Sequence, residues 1–538
     1  MGNSRATMQS QMRNQTNYDL LIIGGGITGC GVAYEAAARG ARVLLLEQND
    51  FAFGTSSRST KLIHGGIRYL KKANFRLVRE GVHERQNLID AAPHLVHPVQ
   101  FVYPVHQGDP DPLFMLRMGL ILYDLFAGRR NLLKHKVYRG RNLLSQEPLL
   151  REEGLTGGAL YADCLTDDAR LTVEVAKAAA RRGATLVNYA QVTRFIYDED
   201  ATGARKVAGV EALDRLTGQT HGFRAGAILN ATGPWADRIR ALDEPDCRPI
   251  LRPTKGAHLT VPHDRLPIRR PVVIHGADKR MMFAVPRDGF TYLGTTDTDY
   301  KGDPATVLCD RADVAYILDA ANRIFPGARL TEADVVSTWA GLRPLAATSE
   351  TAGPSQVSRD YKLYVSGSGV VSVAGGKLTA FQAMAKSIAQ RMLPALSRGD
   401  VALELAGALP APTAAEAAAM GRECGLSGEH LLELWSRHGG QTADVLRFAR
   451  ADLGEGRVRM LAAEAAYAVE EEFATNLADV LHRRTAQMLF SRDSGASAVE
   501  AVASAMGALL GWSSAERDAQ VEAYHHEVGL MNSWRMRG

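Results

Sequence analysis

YDLLIIGGGITGCGVAYEAAARGARVLLLEQ, residues 18–48, is the stretch whose reading decides the fold. Tyr18 to Ile23 is an apolar run of strand length, and it ends directly in Gly24, Gly26 and Gly29, the glycines of a G-x-G-x-x-G. An alanine-rich segment of helical composition follows, then a second apolar run that closes on Glu47 and Gln48. The order strand, turn, helix, strand, acid gives the motif its meaning, because the glycines outside that context are weak evidence. Gly24 permits the tight turn, Gly26 lets a pyrophosphate approach the backbone, and Gly29 lets helix and strand pack closely. The phosphates then meet free N–H groups and the positive end of a helix dipole, while the Glu47 carboxylate is placed to accept hydrogen bonds from a ribose diol. The stretch reads as a dinucleotide site, with Gly25, Thr28 and Gln48 as further cofactor contacts.

Working outward, a chain of 538 residues holds enough material for two or three domains and a large core. Its 63 lysines and arginines against 59 acidic residues leave a net charge of +4, which gives no case for a nucleic-acid partner. The five cysteines, Cys30, Cys164, Cys247, Cys309 and Cys424, form no C-x-x-C pair, which speaks against zinc, an iron–sulfur cluster or a disulfide framework. No metal is expected, and a reducing cytoplasm fits. Residues 1–17 are polar and lack the apolar core of a signal peptide, so a disordered tail is expected there. No run approaches the roughly eighteen apolar residues of a spanning helix. The protein is expected to be soluble or to lie on a membrane surface.

Residues 50–70, DFAFGTSSRSTKLIHGGIRYL, are dense in small hydroxyls and poor in apolar surface, close to the glycine turn. Thr55, Ser56, Ser57, Thr60, Lys61 and His64 are therefore candidate cofactor contacts, and Gly65 and Gly66 allow a flat ring to pass. A surface loop with helix caps is the competing reading. Residues 111–136 are apolar at the centre and basic at the end. A buried helix capped by a solvated basic turn fits them, as does a membrane-contact segment with Arg129, Arg130, Lys134 and Lys136 facing anionic lipid; the usual core-facing habit of amphipathic helices favours the first.

Residues 184–230 alternate like strands, with Val192 a candidate cofactor contact, and the last strand runs through ILNATG into Gly233, a second place where backbone can press on the cofactor. Lys255 and His258 stand three apart, which puts them on opposite faces of a strand unless it bends, and Gly256 supplies the expected bend. Arg343 lies beside Gly341 and Pro344. The third glycine site, SVAGGKLTAF, reads as a strand over Val370 to Val373, a turn at Gly375-Gly376 and a helix opening at Leu378. Gly376, Lys377, Leu378 and Thr379 are expected at the cofactor, because a lysine at a helix start is disfavoured by the dipole unless an anion is near. Beyond residue 394 the composition turns helical, and His482, Arg483 and Arg484 read as a solvated helix face.

A nicotinamide dehydrogenase closes its site within one contiguous doubly wound domain, whereas these glycine sites are hundreds of residues apart. A flavin domain assembled from distant segments fits better. Gly367 and Gly369 come closest to a second nucleotide motif, but Ser372 stands where its third glycine is needed. The flavin is then reduced by the substrate rather than by NADH.

The stretches IIGGGITGCGVAYEAAARG, TSSRSTKLIHGGIRYL, YADCLTDDARL, ILNATGPWAD, KGAHLTVP, GTTDTDYKGD, GLRPL and AGGKLTAFQAMA together resemble the FAD-dependent glycerol-3-phosphate dehydrogenase family, in order from Tyr18 to about residue 394. The resemblance implies an α/β chain with a Rossmann-like FAD domain of the glutathione-reductase and amino-acid-oxidase type (18–74, 148–235 and 335–394), an interleaved β-sheet substrate domain (75–147 and 236–334) and a C-terminal helical domain (395–538). It implies FAD as cofactor, glycerol 3-phosphate as substrate, and a membrane quinone as acceptor, with the protein attached peripherally to the inner face of the cell membrane; a homodimer is compatible with it. Arg68, Tyr69, Lys255, Arg343 and Lys377 become candidate substrate contacts and His258 the candidate base, with Arg343 holding either phosphate or the developing alkoxide. An amine oxidase of the sarcosine-oxidase type and an oxygen-using glycerol-3-phosphate oxidase are the alternatives.

Overall fold

Leu20, Leu21 and Ile22 are wholly buried, so the first strand, Asn17–Ile23, needs a neighbour along each edge and cover on each face. It pairs in parallel with Val43–Leu46 on one side and Thr220–Asn230 on the other. The computed structural model, which describes residues 4–66, 75–130, 132–199, 202–347, 361–396, 399–406 and 411–536, extends this sheet with Thr185–Val187 at one edge and Val371–Ala374 at the other. The parallel core is thus collected from segments far apart in sequence. The helix Ile27–Ala37 covers one face and is packed by the helices Asp168–Arg181 and Phe381–Met392. Gly31 marks the closest crossing: a Cβ there would stand 3.0 Å from Phe381 and 3.1 Å from Ala385.

A second, ten-stranded sheet carries the order Thr298–Asp299, Leu251–Pro262, Phe290–Gly294, Met281–Arg287, Val272–His275, His97–His106, Leu155–Leu165 and Leu62–Ile63, with Ser337–Ala346 pairing along nearly all of Leu251–Pro262. Leu155–Leu165 and Ser337–Ala346 fall within the ranges 148–235 and 335–394 expected in the nucleotide domain, yet both hydrogen-bond into this second sheet. Alternation of polarity marks a strand as buried but carries no information about which sheet receives it.

The amino-terminal segment also departs from expectation. Residues Arg5–Asn14 form a helix, and Met8 and Met12, four apart and so on one face, are 1% and 2% exposed. Arg5 fastens it by donating to the Asn188 carbonyl at 3.0 Å and pairing with Asp214. Two methionines in an otherwise polar run suffice to seat what composition reads as a disordered tail.

Residues 411–536 are helical, as expected, and pack against the second sheet through Phe290, Tyr292 and Trp339. His482, Arg483 and Arg484 are not a solvated face. They lie in a π-helical turn, Asp479–Arg484, that is pressed against the nucleotide sheet. Arg483 reaches Asp50 at 2.6 Å, and Arg484 grips the same carboxylate with two bonds of 2.6 and 2.9 Å. Burial raises the Asp50 carboxyl, but the adjoining charges of Arg484 and Arg483 outweigh it and hold it below the usual range. Nearby, Arg170 makes a bidentate pair with Glu472, both bonds 2.6 Å, and Lys177 joins at 3.0 Å.

Removing one member of such a buried set strands the opposite charge, at a cost of about 3–5 kcal/mol, whereas a solvent-facing pair contributes about 1 kcal/mol or less. Chemical denaturation of Asp50→Ala is therefore expected to show a loss in the first range, and Arg42→Ala, which breaks the outward pair with Asp19, a loss in the second. Equal losses would contradict the assignment of Asp50 as the interdomain clasp.

Candidate active site

The first glycine turn is as tight as its sequence demands. Gly24 has φ +110°, and a Cβ on it would lie 2.7 Å from the Ala231 carbonyl, so the turn and the end of Thr220–Asn230 meet backbone to backbone. At Gly29 a Cβ would collide with the Gly24 carbonyl, which makes this glycine the one that lets helix and strand close. Gly25 does different work. Its N–H donates to Glu47 Oε2 at 2.7 Å, and Asn49 N–H donates to Oε1 at 2.8 Å, aiming the carboxylate along the cavity. Burial raises the Glu47 carboxyl, and the two N–H donors partly offset it.

A long cavity runs from this turn. Gly24, Gly26, Thr28, Glu47, Gln48, Thr55, Ser56, Val192, Gly233, Gly376, Lys377 and Leu378 line it, all of them expected from sequence. A second cavity adjoins it through Thr55, Ser59, Pro344 and the Gly375–Leu378 loop, and adds Thr60, His64, Gly66, Thr379 and Arg343. The helix after that loop begins at Phe381 rather than Leu378, so Lys377 sits on the approach to it and lines both cavities.

Besides Gly29 at the helix–strand crossing, four more expected cofactor contacts line neither cavity and serve the frame instead. Gly25 holds Glu47. Ser57 is buried, with its hydroxyl directed at the Phe53 and Gly54 carbonyls. Lys61 is 2% exposed and ion-paired to Asp168 at 2.5 Å, leaving its charge for the fold. Gly65 packs where a Cβ would collide with the Tyr123 hydroxyl, and its N–H donates to Asp163 at 3.0 Å. Residues missed from sequence include Phe53, Trp235 and Asp168 in the first cavity and Phe101, Tyr161, Asp163, Phe283 and Thr295 in the second. Of these, Tyr161, Asp163 and Asp168 stand in the quoted YADCLTDDARL run, Trp235 in ILNATGPWAD and Thr295 in GTTDTDYKGD, and those runs are the signals that could have singled them out.

The strand Leu251–Pro262 decides which of the candidate substrate residues share a face. It does not bend at Gly256; it pairs in unbroken register with Ser337–Ala346, placing Lys255 and His258 on opposite faces. Lys255 therefore turns away and is neutralised by Asp310 at 2.5 Å and Asp313 at 2.6 Å, which removes it from the candidate substrate contacts. On the other face stand Gly256, His258, Trp339, Gly341 and Arg343. A Cβ at Gly256 would lie 2.7 Å from the Arg343 guanidinium, one at Gly341 would lie 2.7 Å from the Arg58 carbonyl, and one at Gly294 would collide with the His258 ring. These glycines are absences of side chain that admit the site.

Arg343 is oriented by Asp297 at 3.1 Å and Thr295 at 3.2 Å. His258 stacks on Trp339, centroids 4.8 Å apart and planes 7° apart, and its Nε2 lies 3.0 Å from the Thr60 hydroxyl. Burial, then the charges of Arg343 and Lys61, push the imidazole well below its ordinary pKa, which favours its neutral form. Arg68 and Tyr69 lie outside the described residues.

A helix N-terminus, a carboxylate held by two backbone N–H groups and a glycine-lined channel fit a dinucleotide, and the adjoining chamber, lined by a cation and backed by a buried imidazole, is suited to oxidising a small alcohol. The class is borne out by comparison: residues 19–382 match the FAD dependent oxidoreductase family, and residues 401–517 match the C-terminal domain of alpha-glycerophosphate oxidase. The cofactor is FAD. Along 97% of its length the chain is 35% identical to aerobic glycerol-3-phosphate dehydrogenase of Staphylococcus aureus (strain USA300), covering 96% of that protein. The glycerol-3-phosphate dehydrogenase from Bacillus halodurans, solved in complex with FAD, superposes with a TM-score of 0.81 at 34% identity, covering 98% of this chain and 97% of that one. The chain belongs to the FAD-dependent glycerol-3-phosphate dehydrogenase family. Glycine oxidase from Geobacillus kaustophilus, at 21% identity and a TM-score of 0.53 over 73% of this chain and 99% of its own, shares the fold alone.

Gly26 lines the cavity with the Ser56 hydroxyl 3.1 Å from where its Cβ would stand, and that hydroxyl accepts the Ile27 N–H at 2.9 Å. Gly26→Val is expected to displace the cap and fill the phosphate approach, giving folded but colourless protein. Normal circular dichroism with a full complement of FAD would refute the cradle.

Proposed function

We propose that the chain oxidises sn-glycerol 3-phosphate to dihydroxyacetone phosphate in the second cavity, with Arg343 and His258 acting on the substrate. The observation that carries this is the juxtaposition, on one face of two paired strands, of an oriented guanidinium and a neutral buried imidazole beside a cavity that shares its wall with the cofactor channel. Bound FAD supplies the two-electron acceptor for the hydride at C2. The Gly24–Gly29 turn and Glu47 would hold its pyrophosphate and ribose. Arg343, fixed by Asp297, binds the phosphate or the oxygen on which charge develops, and Lys377 adds a second cation to the same chamber. His258 is the base that ends with the hydroxyl proton; its lowered pKa favours the unprotonated ring, and the nearby cations disfavour its protonation until substrate charge balances them.

Anaerobic addition of glycerol 3-phosphate should bleach the flavin. Loss of the Arg343 guanidinium from a partly dry site should cost a few kcal/mol of transition-state binding, so Arg343→Ala is expected to lose about a hundredfold or more in kcat/KM while keeping its FAD. Unchanged kinetics would remove Arg343 from the site, and bleaching by glycine derivatives instead would favour the amine-oxidase reading.

The electron acceptor is proposed to be a membrane quinone. Among the described residues no helix is long and apolar enough to cross a membrane, so contact would be peripheral. The helix Leu113–Ala127 supports this. It buries Leu116, Leu120, Tyr123 and Ala127, but Phe114 is 72% and Leu125 70% exposed, with Met115, Met118 and Ile121 exposed between them. The fully core-facing helix favoured by sequence is therefore only half right. Arg130, Lys134 and Lys136 follow close in sequence, where they can meet anionic headgroups. Phe114→Ser/Leu125→Ser is expected to lose binding to anionic vesicles and lipid-stimulated quinone reduction, with dye-linked activity intact; undiminished vesicle binding would refute this surface.

A further inference from the structure

His258 is 2% exposed and does not itself form the cavity wall; the side chain within reach of its Nε2 that does is Thr60. The surroundings of Thr60 are built to keep it there. Tyr292 donates its hydroxyl to the Thr60 carbonyl at 3.1 Å, Trp339 Nε1 donates to the Ser59 carbonyl at 3.2 Å, and Asp168 accepts from both the N–H and the hydroxyl of Ser59, at 2.9 and 2.6 Å. Lys61, the next residue, is locked to Asp168. On the other side the imidazole is clamped between the Trp339 ring and the space left by Gly294. Loop and ring are thus independently immobilised, and the hydrogen bond between Thr60 and His258 is where they meet. Among the described residues His258 Nδ1 is buried without a hydrogen-bond partner, so the hydrogen-bonded route for a proton to this ring runs through Nε2 and the Thr60 hydroxyl.

We propose that Thr60 is a catalytic residue of this reaction, its hydroxyl relaying the substrate proton to His258. This rests on the reading of His258 as the base. The balance is simple: the O–H bond of the substrate C2 hydroxyl breaks as a new O–H bond forms at Thr60 Oγ1, and the proton already on Oγ1 moves to His258 Nε2. Threonine ends unchanged, the imidazole gains one proton, and the C2 oxygen keeps the electron pair that becomes the carbonyl π bond as the hydride leaves for FAD. Neither an extra oxidant nor a metal is needed. The relay also lets a base remain dry, and so neutral, behind the wall of a chamber that must admit a charged, hydrated substrate.

The test is the rate of flavin reduction by glycerol 3-phosphate, followed anaerobically on holoenzyme at saturating substrate. Thr60→Val keeps the shape and removes the hydroxyl; Thr60→Ser keeps the hydroxyl; His258→Gln removes the base. Thr60→Val is expected to slow reduction by about a hundredfold or more, in the range of a lost general base, with FAD content and substrate KM unchanged. Thr60→Ser should recover to within about tenfold of the parent, and the Thr60→Val/His258→Gln double variant should be no slower than the slower single, since both remove one pathway. A Thr60→Val enzyme reducing its flavin at the parental rate while His258→Gln is slow would overturn the relay and leave the base assignment standing. Parental rates in His258→Gln would overturn both. Loss of FAD or a raised KM alone in Thr60→Val would make Thr60 a binding residue and also overturn the relay.

Discussion

The Lys61 ammonium and the Asp168 carboxylate meet at 2.5 Å with almost no water on either. Neither charge would be tolerated there alone, because an unpaired ion in that setting costs several kcal/mol. Together, with Lys61 also donating to the Ser57 carbonyl and Asp168 accepting from Ser59, they fix the segment 55–61 from beneath. Several parts of the site are tied to that segment. Thr55 donates to the Leu342 carbonyl beside Arg343, Ser56 caps the helix at the phosphate end, Ser59 anchors Trp339 and Thr60 meets His258. One ion pair between the start of a helix and the end of a loop therefore joins the cofactor channel to the substrate chamber.

The C-terminal helices extend this logic. Asp50, just before the same loop, is held by Arg483 and Arg484, and Phe490 packs edge-on to Trp339 at 6.0 Å, behind the ring that carries His258. Arg287 lies over Phe490 at 4.6 Å and pairs with Asp167 at 2.8 Å, adjacent to Asp168. The helical domain contributes no side chain to either cavity among the described residues, yet it closes the back of the site, where loss of packing would free the loop. To the site it supplies fixed charges and aromatic surfaces against which the loop is set.

The sequence by itself determined the cofactor end. There the determinants are local: a strand, a turn that only glycine can make, a helix N-terminus and an acid all lie within residues 18–48, and their geometry follows from backbone sterics. It also marked Gly376–Leu378, through the glycine turn before a helix, and the resemblance carried by its motifs marked Arg343; both line the cavities. What only the tertiary structure decided were contacts across long separations and the parity of strands. Lys255 and His258 differ in fate because an unbroken register sends every second residue to the other face, whereas the sequence allowed a bend at Gly256. Lys61 reads as a cofactor contact and the Arg483–Arg484 pair as exposed cations until partners 107 and 433 or 434 residues away in the chain are brought against them. A charge states only that it needs a partner, and whether that partner is water, a phosphate or a buried carboxylate is settled by which surfaces the fold closes together.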